Sequence, residues 1–146
     1  MFYVISLICA CTCISILDAR FRRITNMSVL GLMALQCSLL IKSEIYLESA
    51  LLVLTVGFVL FWRRWIAAGD IKLASVLALA LPLSQLPMAA TLMGLAGGLV
   101  SLFYLMLNHW FPNRKKRQVG IPYGVAISLG FCLVIVVHQV PLLLKA

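Results

Sequence analysis

Only four acidic residues occur in this 146-residue chain, and two of them, Asp18 and Asp70, are its sole aspartates. Each stands where an apolar run meets a polar or basic stretch. Asp18 follows the run Phe2–Leu17 and opens Asp18-Ala19-Arg20-Phe21-Arg22-Arg23; Asp70 closes Trp65-Ile66-Ala67-Ala68-Gly69-Asp70 just ahead of the run Ile71–Leu81. Ionisable groups at membrane depth are costly, so acids at such borders are the first candidates for function. Two Asp side chains within reach of one water cannot both ionise comfortably and tend to hold one proton between them. The unprotonated carboxylate can then take a proton from a water attacking a peptide carbonyl, while the protonated one donates to the developing oxyanion and later to the leaving amine. That chemistry needs no metal, cofactor or covalent nucleophile. A plainer reading stands beside it: Asp18 paired with Arg22 four residues on, and Asp70 a solvated carboxylate favoured by a helix-start dipole. The other acids, Glu44 and Glu48, lie beside Lys42 and read as solvated. No two of the five cysteines form a C-x-x-C pair, and they read as small structural hydrophobes.

The elements that must position these acids follow from composition. The chain is 64% hydrophobic and 11% charged, whereas soluble domains run to roughly 45–50% and 25%; a large soluble domain is excluded. At roughly 20 apolar residues per crossing, the length supplies five or six transmembrane segments. The runs are Phe2–Leu17, Met27–Ile41, Ile45–Trp62, Ile71–Leu81 extended past Pro82 to Leu86, Met88–Leu107 and Ile121–Leu144. Backbone groups in hydrocarbon must be satisfied internally, so these runs are helices. The expected fold is an all-α integral membrane protein, a bundle of about six transmembrane helices in one domain, 1–146. The first run lacks the basic start and small-residue cleavage site of a signal peptide and reads as a retained helix. Ala90, Gly94 and Gly98 form a small-residue stripe suited to helix packing.

Charge sets the orientation. Ten of the twelve Lys and Arg residues flank the odd-numbered connections: Arg20, Arg22, Arg23, Arg63, Arg64, Lys72 and Arg114–Arg117. By the positive-inside bias these connections are cytoplasmic and both termini lie outside. Topogenesis accounts for the net charge of +8 without nucleic acid, and the run Arg114–Arg117 could also touch anionic headgroups. Both aspartates then share the cytoplasmic face, while His109 and His138 fall on opposite faces, without an acid partner for a serine or cysteine site.

Ala67-Ala68-Gly69-Asp70-Ile71-Lys72-Leu73 resembles the G-x-G-D-x-K-[LM] motif of the aspartic type IV prepilin peptidases, and Asp18 through Asn26 resembles their D-x5-I-P-N segment. Ile121-Pro122-Tyr123-Gly124-Val125-Ala126 is similar to the P-Y-G-x-A segment of the small members that serve tight-adherence (Flp-type) pili. Two positions depart from the pattern: Ala67 replaces a glycine, losing access to positive φ, and Thr25 replaces a proline. The resemblance implies a peptidase of the bacterial inner membrane, with Asp18 and Asp70 catalytic. Its substrate would be a prepilin or pilin-like precursor, cleaved at the cytoplasmic face between a short basic leader and a hydrophobic helix. It also implies that Gly69 permits close approach at Asp70. Nothing matches the paired C-x-x-C segment of the larger, methylating members, so peptidase activity alone is expected. Lys72 is read either as snorkelling to a headgroup or as biasing the protonation of the pair, and Pro122-Tyr123-Gly124 either as lining a wet cleft or simply as starting the last helix. The substrate's apolar helix would lie against the bundle in the bilayer.

Two other readings remain. A small transporter or assembly scaffold binding a cation or proton at the aspartates would call for acidic or unwound midplane sites and repeat symmetry, and neither is evident. An intramembrane protease of the presenilin type shares G-x-G-D, but its first aspartate typically sits in a Y-D motif, whereas Asp18 follows Leu17.

Overall fold

The structure is a computed structural model and describes residues 2–21, 24–39, 45–110 and 122–145. Arg22, Arg23, Lys42, Glu44 and Arg114–Arg117, and with them the Asp18–Arg22 pairing, lie outside the described residues. Within these, six α-helices follow one another: α1 (Phe2–Phe21), α2 (Asn26–Leu39), α3 (Leu47–Trp62), α4 (Ala68–Ala78), α5 (Leu86–Trp110) and α6 (Tyr123–Lys145). Two stretches, Phe2–Phe21 and Leu83–Leu107, are long and apolar enough to cross a membrane, and α2, α3 and α6 carry shorter apolar stretches of 10–17 residues.

The centre of the bundle is α4, packed against α2, α3 and α6. From Asp70 to Ala78 every residue except Lys72 is buried, which is what a helix apolar nearly all round requires. Its eleven residues rise only ~16 Å, short of a hydrocarbon core ~30 Å thick. The expected extension of this span past Pro82 does not occur. After Ala78 the chain tightens, with Leu79, Ala80 and Leu81 N–H donating three residues back. Pro82, with no N–H to continue the ladder, sits in extended backbone and leads into a 3-10 turn, Leu83–Gln85. The next helix therefore starts at Leu86, two residues earlier than the sequence suggests, with Pro87 in its first turn, where no N–H is needed.

α3 ends through a left-handed residue. Arg64 has φ 59, its N–H bonds to Phe61 O at 2.8 Å, and Trp65 N–H bonds to Leu60 O at 3.1 Å. This paired closure is usually built on glycine, so the sequence carries no sign of it. Thr25 starts α2: its side-chain oxygen accepts from Ser28 N–H at 3.3 Å and pairs with Ser28 Oγ at 2.7 Å, as an N-cap does. Tyr3 OH donates to Gln36 Oε1 at 2.7 Å, a buried pair that pins α1 to α2.

The small-residue stripe of α5 does not pack as expected. No atom lies within 4 Å of a Cβ built on Gly94 or Gly98, and both are exposed. The close crossing of α5 and α6 is instead made from α6: a Cβ on Gly130 would stand 2.5 Å from Met93 N and 2.7 Å from Met93 Cα. All five cysteines are free, and only Cys11 is fully buried; Cys9, Cys13 and Cys37 face outward. Gly130→Ala is expected to destabilise the protein by about 1–3 kcal/mol, the usual cost of overpacking. Gly31→Ala, at an open position on α2, should be neutral or stabilising by up to about 1 kcal/mol. Thermal unfolding of both variants in detergent checks the contrast.

Candidate active site

The end of α1 and the starts of α2, α4 and α6 meet at one end of the bundle around a cleft of ≈ 1640 Å³. Asp18 and Asp70 both line it, from α1 and α4 respectively. They are only 6% and 8% exposed, a degree of burial that carboxylates reach only with specific partners.

Asp18 is held from α6. Gly124 N–H, one of the N–H groups at that helix start with no partner inside the helix, donates to Asp18 Oδ2 at 2.8 Å. A Cβ on residue 124 would fall 2.7 Å from the same oxygen, so the bond requires glycine. Asp70 sits in the first turn of α4, ahead of the apolar run that begins at Ile71. Its carboxyl is pushed up to about 6, chiefly by burial and then by the charge of Asp18, against the Ala67 backbone N–H that favours ionisation.

The remaining expected site residues divide. Asn26 and Tyr123 line the cleft; Pro122 is buried beside it and does not. Lys72 is exposed, and its Nζ donates to Asn26 Oδ1 at 3.1 Å, tying the start of α2 to α4. Gly69 lines the cleft, and Ile24 comes close to it, its Cβ 3.3 Å from a Cβ built there. A tight approach to the other aspartate, Asp18, is made at Gly124. Both departures noted in the sequence have a local explanation. Ala67 caps α4 in extended backbone, φ −78 and ψ 149, where any residue fits and glycine is not needed. Thr25 replaces the rigidity of proline by the side-chain cap described above.

Sequence reasoning missed most of the cleft wall. Phe58, Phe61, Trp62 and Trp65 form an aromatic side, and Gly94, Gly97, Gly98 and Ser101 of α5 form a small-residue side. The second signal was visible as a stripe, but spacing alone does not tell a packing face from a cavity wall.

Two buried carboxylates facing one solvent-sized cleft, one of them holding its proton to an unusually high pH, form the constellation of an aspartic hydrolase. The pattern of the type IV leader peptidase family matches residues 5–102, well over half of the chain and including both aspartates, and the chain belongs to that family of aspartic leader peptidases. Membership makes it a membrane protein, in keeping with its apolar helices. Comparison with curated proteins and with solved structures returns no match.

Two outcomes follow. Asp70→Asn should raise the melting temperature above pH 6, on the order of 3 °C, because Asp70 prefers its protonated form in the folded state. Stability from this group is complete below the ordinary carboxylate range and is lost as pH rises through about 6, so the advantage of Asn should shrink toward pH 4. Thermal scans at several pH values check the sign. Gly124→Ala should lower leader cleavage roughly 10–100-fold by displacing the Asp18 carboxyl, with folding retained, as steady-state rates on a prepilin substrate would show.

Proposed function

We propose that this chain is a membrane aspartic endopeptidase of the inner membrane that removes the basic leader of type IV prepilins or pilin-like precursors at the cytoplasmic face. It acts as a single membrane-embedded unit of six spans with both termini periplasmic, and as a peptidase without methyltransferase activity. The observation that carries this reading is the pair of acids: Asp18, anchored by Gly124 N–H, and Asp70, both buried on one cleft. The distribution of Lys and Arg supports the cytoplasmic placement, since this end of the bundle is the one bearing Arg20, Arg63 and Arg64. Pro122-Tyr123-Gly124, with Tyr123 on the cleft wall, supports the small tight-adherence branch.

The two acids divide the work. Asp18, whose Oδ2 already accepts an N–H donor, is the base that takes a proton from the attacking water; Asp70 carries the shared proton and gives it to the carbonyl oxygen as the tetrahedral centre forms. On collapse the proton taken up by Asp18 passes to the leaving amine while Asp70 takes back the proton of a diol hydroxyl as the new carboxyl group forms, and the pair returns to its single-proton state. Asn26, fixed by Lys72, lies on the cleft wall as a polar group able to hold the extended backbone at the cleavage junction. A helical peptide hides its carbonyls in its own hydrogen bonds, and the cleft gives the junction room to be extended.

Co-expression with a type IV prepilin, followed by gel shift of the leader, tests the reading. Asp18→Asn and Asp70→Asn should each reduce processing at least ~100-fold with both variants still present in the membrane fraction. Normal cleavage by either variant would remove the dyad, and an uncut prepilin with the parent chain would remove the peptidase assignment.

A further inference from the structure

A second cavity adjoins the cleft. It is a groove of ≈ 480 Å³ between α3 and α5, walled by Leu52, Val56 and Leu60 on one side and Leu86, Ala90 and Met93 on the other. Ile71 and Ala74 of α4 with Ile127 and Phe131 of α6 form its floor. Every lining side chain is apolar except Asp70, which also lines the cleft, as do Ile66, Met93 and Ile127. The two spaces are therefore continuous, and they join at an aspartate. α3 packs against α4 and α5 against α6, so the groove lies between two helices whose outer faces are apolar and exposed, from Leu51 and Leu54 on one to Leu95 and Leu99 on the other.

The kind of chain that can occupy this groove is narrowly set. Its walls offer no hydrogen-bond partner below Asp70, and a peptide backbone in such surroundings must satisfy itself, so the occupant is a helix and not an extended strand. The walls run from Leu60 to Leu52 along α3 and from Met93 to Leu86 along α5, about two helical turns at ~5.4 Å each. An extended stretch has room only in the larger cleft above. The order along any peptide lying in both is then fixed: unwound residues in the cleft, the bond under attack beside the aspartates, and a helix that starts as the chain passes Asp70.

We infer that the groove between α3 and α5 receives the apolar membrane helix of the precursor itself, which enters sideways from the bilayer with its first turn beside Asp70. This rests on the peptidase reading above. The groove thereby sets where the cut falls, because the register of the docked helix decides which peptide bond is held at the acids.

A photoreactive residue placed at Ala90 in the Asp70→Asn protein, co-expressed with a type IV prepilin, should crosslink to the prepilin's apolar segment; the same probe at Leu133, exposed on the outer face of α6, should not. Ala90→Trp fills the groove and should slow prepilin processing at least tenfold, mainly through KM, whereas Leu133→Trp should stay within twofold of the parent. Crosslinks from position 90 to a second copy of this chain, or to lipid alone, would overturn the inference, as would parental processing by Ala90→Trp. Failure of the peptidase reading looks different: the parent chain would leave the prepilin uncut whether or not the Ala90 probe captured it.

Discussion

Burying two carboxylates in an apolar helix bundle is the constraint around which this protein is built. A buried carboxylate without compensation is costly enough to disrupt a domain of this size. Here the compensation is local and uneven. Asp18 receives an N–H from the free start of α6, whereas Asp70 has the N–H of Ala67, the cap of its own helix, and keeps its proton to an unusually high pH. In the proposed mechanism this asymmetry lets one acid act as base while its neighbour acts as donor. It also explains why α4 and α6 both start at this end of the molecule: helix starts present unpaired N–H groups to a carboxylate.

The short central helix makes the other half of the arrangement. Because α4 stops at Ala78 and turns through Pro82, it fills the middle of the bundle without spreading α3 and α5 together. A helix of full length in the same place would have carried its own lipid-facing stripe and drawn these two neighbours against it. Instead they stand apart and leave an apolar passage that begins at Asp70. The larger cleft and the apolar groove thus adjoin, and the acid on α4 lines both.

Much of this was legible in the residues. Periodicity and apolar runs located all six helices, and the coincidence of both aspartates with the basic connections put them at one end. The motif departures looked damaging only because sequence cannot display backbone angles: Ala67 sits in extended backbone and Thr25 works as a cap. What stayed hidden has a common cause. The role of Gly124 depends on a neighbour more than a hundred residues earlier, the left-handed turn at Arg64 lacks its usual glycine, and the small stripe of α5 faces open space although its spacing suits close packing. Spacing reports which residues share a face; it does not report what that face meets.

The bond from Gly124 to Asp18 links the beginning of the chain to its last helix, and synthesis runs in that direction. During insertion into the bilayer the first aspartate is delivered early and waits through four further helices for the donor that completes its surroundings. A partly made chain can therefore hold both acids before the bond that fixes the first of them can form.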